Sequence, residues 1–300
     1  MSETHQSATL EMVRHVVQPL IEAELDRLVP ENGDGAPKLA RAMRYALHAG
    51  GKRVRPLLAV MSGRLFDVPD VATVRIGAAV ECLHTYSLIH DDLPAMDDAA
   101  ERRGQPALHR AFDEATAVLA GDALQALAFE AVTDPTLPLR GEARAQLAHG
   151  LALAAGMAGM CGGQMLDLDA GADSDLDAVR NLQALKTGAL ITFACEAGAI
   201  AGAAGEADRI ALRAYGRAVG AAFQIRDDLL DVQGDASLVG KDLGRDLAQA
   251  KATFVHVLGV EGSTRELNRQ VDTAVDALAR FGDAAAPLEE LARYIAARAS

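Results

Sequence analysis

Residues 89–98 read IHDDLPAMDD and set Asp91, Asp92, Asp97 and Asp98 within eight positions at the end of an apolar run. A second acidic group, Asp227, Asp228 and Asp231, closes the apolar stretch ending in QIRDDLLDV. On a helix Asp227 and Asp231 lie one turn apart on one face, where like charges repel. Repulsion retained twice, each time at the end of an apolar helix, implies an external cation. A ligand set made only of oxygen suits hard Mg²⁺ and not zinc. Mg²⁺ takes few carboxylates and completes its shell with water and phosphate oxygens, so these aspartates point to a diphosphate held through metal.

A diphosphate also needs cationic side chains. GGKRVRP (50–56), ERRG (101–104), LKTGAL (185–190) and GKDLGRDLAQAKATF (240–254) supply them beside glycines. Arginine offers a planar fork and lysine a point charge, and both suit phosphate oxygens. None of these stretches has the spacing of a nucleotide-binding P-loop, which disfavours ATP and GTP. DLDAGADSDLDA (167–178) alternates aspartates like a calcium loop but carries Ala172 and Ala178 where an EF-hand needs glycine and glutamate. It reads as a solvated acidic loop.

The elements that must position these groups are helices. Over 71–90, Ile76, Ala79, Val80, Leu83, Ser87 and His90 recur at spacings of three and four. Similar segments are expected over 10–27, 37–66, 113–132, 141–161, 176–203, 207–232, 247–258, 264–281 and 287–298, with loops at 133–142, 169–175, 233–240 and 259–264. Period-2 strands, fixed-period repeats and linkers are absent from the pattern, so the expectation is an all-α chain forming a single domain over 1–300. Half the residues are hydrophobic but only 4% are aromatic and none is tryptophan. The core must therefore be built from small aliphatic side chains, which lets helices approach closely.

A net charge of −13 argues against a general nucleic-acid binder. Cys82, Cys161 and Cys195 show no metal-ligand spacing and are expected to be buried thiols in a reducing compartment. The opening MSETHQSATLEMVRHVV is not a secretory signal. ALITFACEAGAIAGAAG (189–205), interrupted by Glu196, reads as a buried core helix, so a cytoplasmic location without stable membrane association is expected.

With these residues assembled, the chain resembles the short-chain trans-polyprenyl diphosphate synthases, bacterial farnesyl diphosphate synthases most of all. The motifs that carry the resemblance run in family order from about residue 40 almost to the end: GGKRVRP, ECLHTYSLIHDDLPAMDD, RRG, GDALQALAF, MCGGQMLDLD, KTGAL, FQIRDDLLD, GKDLGRD and KATF. The resemblance implies an isoprenoid-synthase-type helical bundle around a central cavity, acting as a homodimer. It implies 1'-4 condensation of isopentenyl diphosphate with dimethylallyl and geranyl diphosphates to give farnesyl diphosphate. By the same resemblance Asp91, Asp97 and Asp227, with Asp92 and Asp231 completing the motifs, serve three Mg²⁺ ions. Arg102, Lys186 and Lys241 bind the allylic diphosphate and stabilise the departing pyrophosphate.

Lys52, Arg55, His84 and Arg103 then correspond to the isopentenyl diphosphate site. The Lys186 carbonyl, Thr187 hydroxyl and Gln224 amide face the allylic cation. Asp98, Gln164, Asp167, Asp228 and Lys251, as well as Asp92 and Asp231, orient metal-bound water or the ligating groups. His84 lies about 10 Å before Asp91 along a helix, on nearly the same face, and His90 reads as structural. Tyr86, about 7–8 Å before Asp91, corresponds to the bulky residue that stops growth at C15; a small residue there would give the C20 product of a geranylgeranyl diphosphate synthase. Ala99 and Ala100 depart toward that alternative, and the C-terminus YIAARAS offers Arg298 without a terminal lysine. A terpene cyclase is disfavoured by DDLLD together with Lys52, Arg55 and Arg103. An inactive regulatory subunit is disfavoured because both acidic motifs are intact.

Overall fold

The computed structural model describes residues 3–33, 35–171, 174–233 and 253–298. At its centre stands α4 (Asp70–Asp91), which Pro69 precedes. Fifteen of its 22 residues are buried, all round the helix and not along one stripe, which is the mark of an element enclosed by others. α3 (Val54–Arg64) and α6 (Glu114–Thr133) pack against it. α10 (Ala189–Ala201) crosses α3, and α11 (Glu206–Gln233) lies between α10 and α12 (Phe254–Ala277). α1 (Glu3–Leu28), α2 (Pro37–Leu47), α7 (Gly141–Ala155) and α13 (Ala286–Ala297) complete the outer shell. The small-residue composition shows in the crossings: a Cβ on Gly198 would lie 2.2 Å from the Gly63 nitrogen, so α3 and α10 meet backbone to backbone.

The helical expectation is met with breaks that matter for the site. Instead of one helix over 37–66, α2 ends at Leu47 and α3 starts at Val54. Gly50 and Gly51 take φ of +95° and +136°, and Arg53 sits in the left-handed region at +50°. The strained Arg53 is held by its side chain, which donates to Glu22 and Glu81 at 2.8 Å and to the Leu47 carbonyl at 2.6 Å. The expected helix over 141–161 breaks likewise between Ala155 and Met160, at Gly156 and Gly159. The expected loop at 259–264 is only a kink in α12, at Gly259.

Two elements that shape the site were not foreseen. β1 (Glu101–Arg102) and β2 (Gln105–Pro106) form a minimal antiparallel hairpin. Its turn residues Arg103 and Gly104 have φ of +54° and +75°, as a type I′ turn requires. Between α9 (Leu176–Gln183) and α10, residues Ala184–Gly188 form one π-helical turn. Cys82 and Cys195 are buried as expected, but Cys161, on α8 (Met160–Asp169), is exposed. Within 189–205, Leu190, Ile191, Phe193, Ala194 and Ala197 are buried against the bundle. By length and composition alone the stretches 114–133, 141–169 and 176–201 are apolar enough to cross a membrane.

Candidate active site

The first acidic motif is a helix end folded back on itself. Asp91 is the last residue of α4, and the chain after it returns so that the Asp97 amide donates to the Asp91 carbonyl at 2.9 Å. The Ala99 amide does the same to the Asp92 carbonyl at 3.1 Å. Asp91 and Asp97 thereby stand together. Enclosure pushes the Asp91 carboxyl up to about 6; Asp97 and Asp92 add to the push, against the pull of Lys186 and Arg102. The other two aspartates turn to arginines. Asp92 is buried and accepts a forked pair of bonds from Arg102, while Asp98 is exposed and accepts from Arg110 at 2.7 Å.

The hairpin and the 48–53 loop gather the cations. Arg103 swings the opposite way from Arg102 and donates to the Gly50 carbonyl. Its guanidinium lies on Gly51, where a Cβ would come within 2.8 Å of Nη1. Lys52 and Arg55 follow at once. The Arg55 Nε is enclosed without a hydrogen-bond partner, and its guanidinium lies 5.9 Å from the centre of the Phe223 ring. Enclosure brings Arg55 down to about 10, with Arg103 and Arg298 adding to the fall against Glu81 and Asp227. Lys52 is lowered by enclosure and then by Arg298, and His84 falls well below the usual imidazole range by enclosure and by Arg55 and Arg103. His84 is therefore neutral at pH 7. Cations that depress one another inside an acidic protein make a pocket for a polyanion.

The second acidic motif lies on α11, across the π turn. That turn points Lys186 at Asp167 on α8, with Nζ donating at 2.5 Å. It points Thr187 at Gln224 on α11, with the hydroxyl donating to Oε1 at 3.1 Å. Gln224 donates in turn to Asp228 at 2.9 Å, and the other Asp228 oxygen accepts from the Phe254 amide at 2.8 Å, tying α11 to the start of α12. π turns inserted in α-helices recur at functional sites because they turn consecutive side chains onto one face. Since Asp91 feels Lys186 and Gln224 precedes Asp227 by one turn, the two acidic motifs flank this turn. Gln164 on α8 keeps an enclosed Oε1 without a hydrogen-bond partner, and Asp231 is half-buried one turn beyond Asp227. Lys241 and Lys251 lie outside the described residues.

One contact has no counterpart in the sequence reading. Arg298, after α13, donates to Asp227 Oδ1 at 2.7 Å and to the Phe223 carbonyl at 3.2 Å, with its guanidinium 4.0 Å from the Phe223 ring centre. Its own carbonyl accepts from Arg226 at 2.7 Å. The sequence offers Arg298 near the C-terminus, but nothing in the spacing pairs residue 298 with residue 227.

Among the described residues no three Asp, Glu, His or Cys side chains converge into a closed metal cage. The donor chemistry is that of an open magnesium site: a crowded Asp91–Asp97 pair on one side and Asp227 on another, leaving positions for water and phosphate oxygens. The residues fit that ion.

A family profile described as polyprenyl synthetase matches residues 36–287. The farnesyl diphosphate synthase of Escherichia coli is 44% identical over 268 residues, 87% of this chain and 89% of the relative. A chloroplastic geranylgeranyl pyrophosphate synthase of Catharanthus roseus is 40% identical over 267 residues, 87% of this chain and 74% of the relative. Among solved structures, an FPP/GFPP synthase from Zymomonas mobilis superposes with a TM-score of 0.84 at 42% identity, covering 99% of this chain and 100% of that one.

Proposed function

The chain belongs to the polyprenyl synthetase family, and on that premise we propose that it is the prenyltransferase that makes farnesyl diphosphate from isopentenyl diphosphate and the dimethylallyl and geranyl diphosphates. The reading is supported by two groups of charged side chains of different construction, each suited to a diphosphate. One is purely cationic: Lys52, Arg55 and Arg103 with neutral His84 as a hydrogen-bonding partner. That composition suits isopentenyl diphosphate, whose diphosphate stays attached. The other combines Asp91, Asp97 and Asp227 with Lys186 and Arg102, and suits the allylic diphosphate, whose C–O bond must break. Mg²⁺ bound there supplies positive charge to the leaving diphosphate.

The residues of the chain do the rest. Lys186 and Arg102 stabilise the charge that develops on the leaving oxygens, in positions fixed beforehand by Asp167 and Asp92. The Lys186 carbonyl, the Thr187 hydroxyl and the Gln224 amide present neutral dipoles to the allylic carbons. Such groups stabilise positive charge without capturing it. The isopentenyl double bond attacks the allylic C1, and the departing proton goes to the released pyrophosphate, so no basic side chain is assigned to that step. Asp98, Asp228 and Asp231 act in support, as do Gln164, Lys241 and Lys251. Tyr86 closes the tail pocket.

A homodimer goes with the family reading. A cytoplasmic location goes with that reading. A geranylgeranyl diphosphate synthase is the second reading, favoured by Ala99 and Ala100 and by the C. roseus relative. Incubation with Mg²⁺, isopentenyl diphosphate and each allylic starter in turn, with products identified by mass, separates the two. A C15 product with little extension of farnesyl diphosphate is expected. A C20 product transfers the chain to the second reading, and no condensation with any starter refutes both.

Arg103→Ala tests the division between the cradles. Loss of one charged donor should raise KM for isopentenyl diphosphate roughly tenfold or more. The KM for geranyl diphosphate should change much less. Initial rates with each substrate varied in turn decide it, and an effect confined to the allylic substrate shows the assignment reversed.

A further inference from the structure

We infer that Cys161 is a positioning residue for the Tyr86 ring and through it takes part in setting product length. This rests on the reading of Tyr86 as the floor of the tail pocket.

Tyr86 is 7% exposed, and a buried tyrosine hydroxyl must find partners. It shares a hydrogen bond with the Cys161 sulfur on α8, Oη to Sγ 3.1 Å. The edge of the ring is set by His90, one turn further along α4, at 5.3 Å between centroids and 90° between planes. His90 is itself fixed: its Nε2 lies 3.1 Å from the Val118 carbonyl, and Gly121 leaves it room where a Cβ would come within 2.1 Å. The ring is thus held from the α6 side by the anchored His90. From the α8 side the bond to Cys161 holds it.

The position of Cys161 along α8 agrees with such a part. Tyr86 and Asp91 are separated by about 7–8 Å of helical rise on α4, and Cys161 and Asp167 by about 9 Å on α8. Tyr86 meets Cys161 at one level, and Asp91 feels Lys186, which is bonded to Asp167, at the other. Cys161 thus stands at floor level on the α8 side of Tyr86, with Asp167 further along α8 where it holds Lys186. Removing the sulfur frees the hydroxyl on the α8 side and lets the ring move toward α6. Space then opens between α4 and α8 for a longer chain.

The test is the C20:C15 product ratio of the full-length protein with geranyl and farnesyl diphosphates as starters, for Tyr86→Ala, Cys161→Ala, Cys161→Val and Cys161→Ser. Melting temperatures accompany each to establish that it is folded. Tyr86→Ala is expected to lengthen the product. Cys161→Ala and Cys161→Val are expected to raise the ratio roughly fivefold, the value of one net hydrogen bond. Cys161→Ser, which keeps a hydroxyl partner, should stay near the parent ratio. If Tyr86→Ala lengthens the product while Cys161→Ala and Cys161→Val leave the ratio unchanged, the positioning role is overturned and the floor reading stands. If Cys161→Ser lengthens it as much as Cys161→Ala, the hydrogen bond is not the means and the proposal fails. If Tyr86→Ala leaves the product unchanged, the floor reading fails and the proposal with it.

Discussion

Asp91→Ala is expected to lower turnover by roughly a thousandfold or more while the far-UV helical signal is retained, since the change strips a site of charge stabilisation without touching a packed core. Asp91 stands where α4 ends and the returning chain brings Asp97 beside it. Its carboxyl is pushed up to about 6 by enclosure and by its acidic neighbours, so without a cation the ionised form is disfavoured in the folded protein. The sign of the stability effect follows. A folded pKa above the unfolded value gives stability that is complete below pH 4 and is lost as pH rises through 6. In EDTA at pH 8, Asp91→Asn should therefore melt above the parent protein, and the difference should vanish as pH falls toward 4. With Mg²⁺ and pyrophosphate added, the parent should gain stability and the variant much less. Wild-type turnover together with an unchanged gain on adding Mg²⁺ and pyrophosphate would remove Asp91 from the metal site.

The same residue shows why part of the site was legible in the sequence. Asp91 follows an apolar run of helical period, and a helix end is a place that periodicity can locate. What α4 does not reveal is the fate of each neighbouring aspartate. Asp92 goes inward to Arg102 and Asp98 outward to Arg110, a choice made by the backbone turns after Pro94 and by the hairpin. The hairpin itself is too short to produce an alternating pattern, and its one local signal is the Arg103-Gly104 turn. The π turn is invisible for a related reason: it adds one residue to a helix whose flanks keep their period, so 176–203 reads as continuous. The break at 48–53 was announced by Gly50 and Gly51, but the helical pattern on both sides outweighed them. Cysteines usually are buried, which places Cys161 in the core on sequence alone, and only the side-chain contact between α8 and α4 shows that it meets Tyr86. Contacts such as Arg298 with Asp227 join residues far apart in sequence, where periodicity is silent.

Gly163→Ala should damage both stability and turnover, through the π turn. A Cβ at Gly163 would lie 2.1 Å from the Lys186 nitrogen and 2.5 Å from its Cα. Those atoms are backbone and cannot swing aside, so α8 and the π turn must separate. Overpacking of this kind costs about 1–3 kcal/mol. At this chain length that corresponds to a melting temperature lower by several degrees, roughly 2–4 °C per kcal/mol. The functional loss should be larger in proportion. Lys186 reaches Asp167 across this contact and Thr187 reaches Gln224 just beyond it, so displacing the turn misplaces the cation and the dipoles together. Misplacement by about 1 Å can cost on the order of a hundredfold in rate. The KM for isopentenyl diphosphate should change little, because Lys52, Arg55 and Arg103 are held by the 48–53 loop, the first turn of α3 and the hairpin. Gly205→Ala is the control, since a Cβ there meets nothing within 4 Å. Calorimetry and steady-state kinetics on both variants decide the matter. If Gly163→Ala keeps the parent turnover despite a lower melting temperature, the π turn is only packing, and the alignment of Lys186 and Thr187 cannot be what sets the rate.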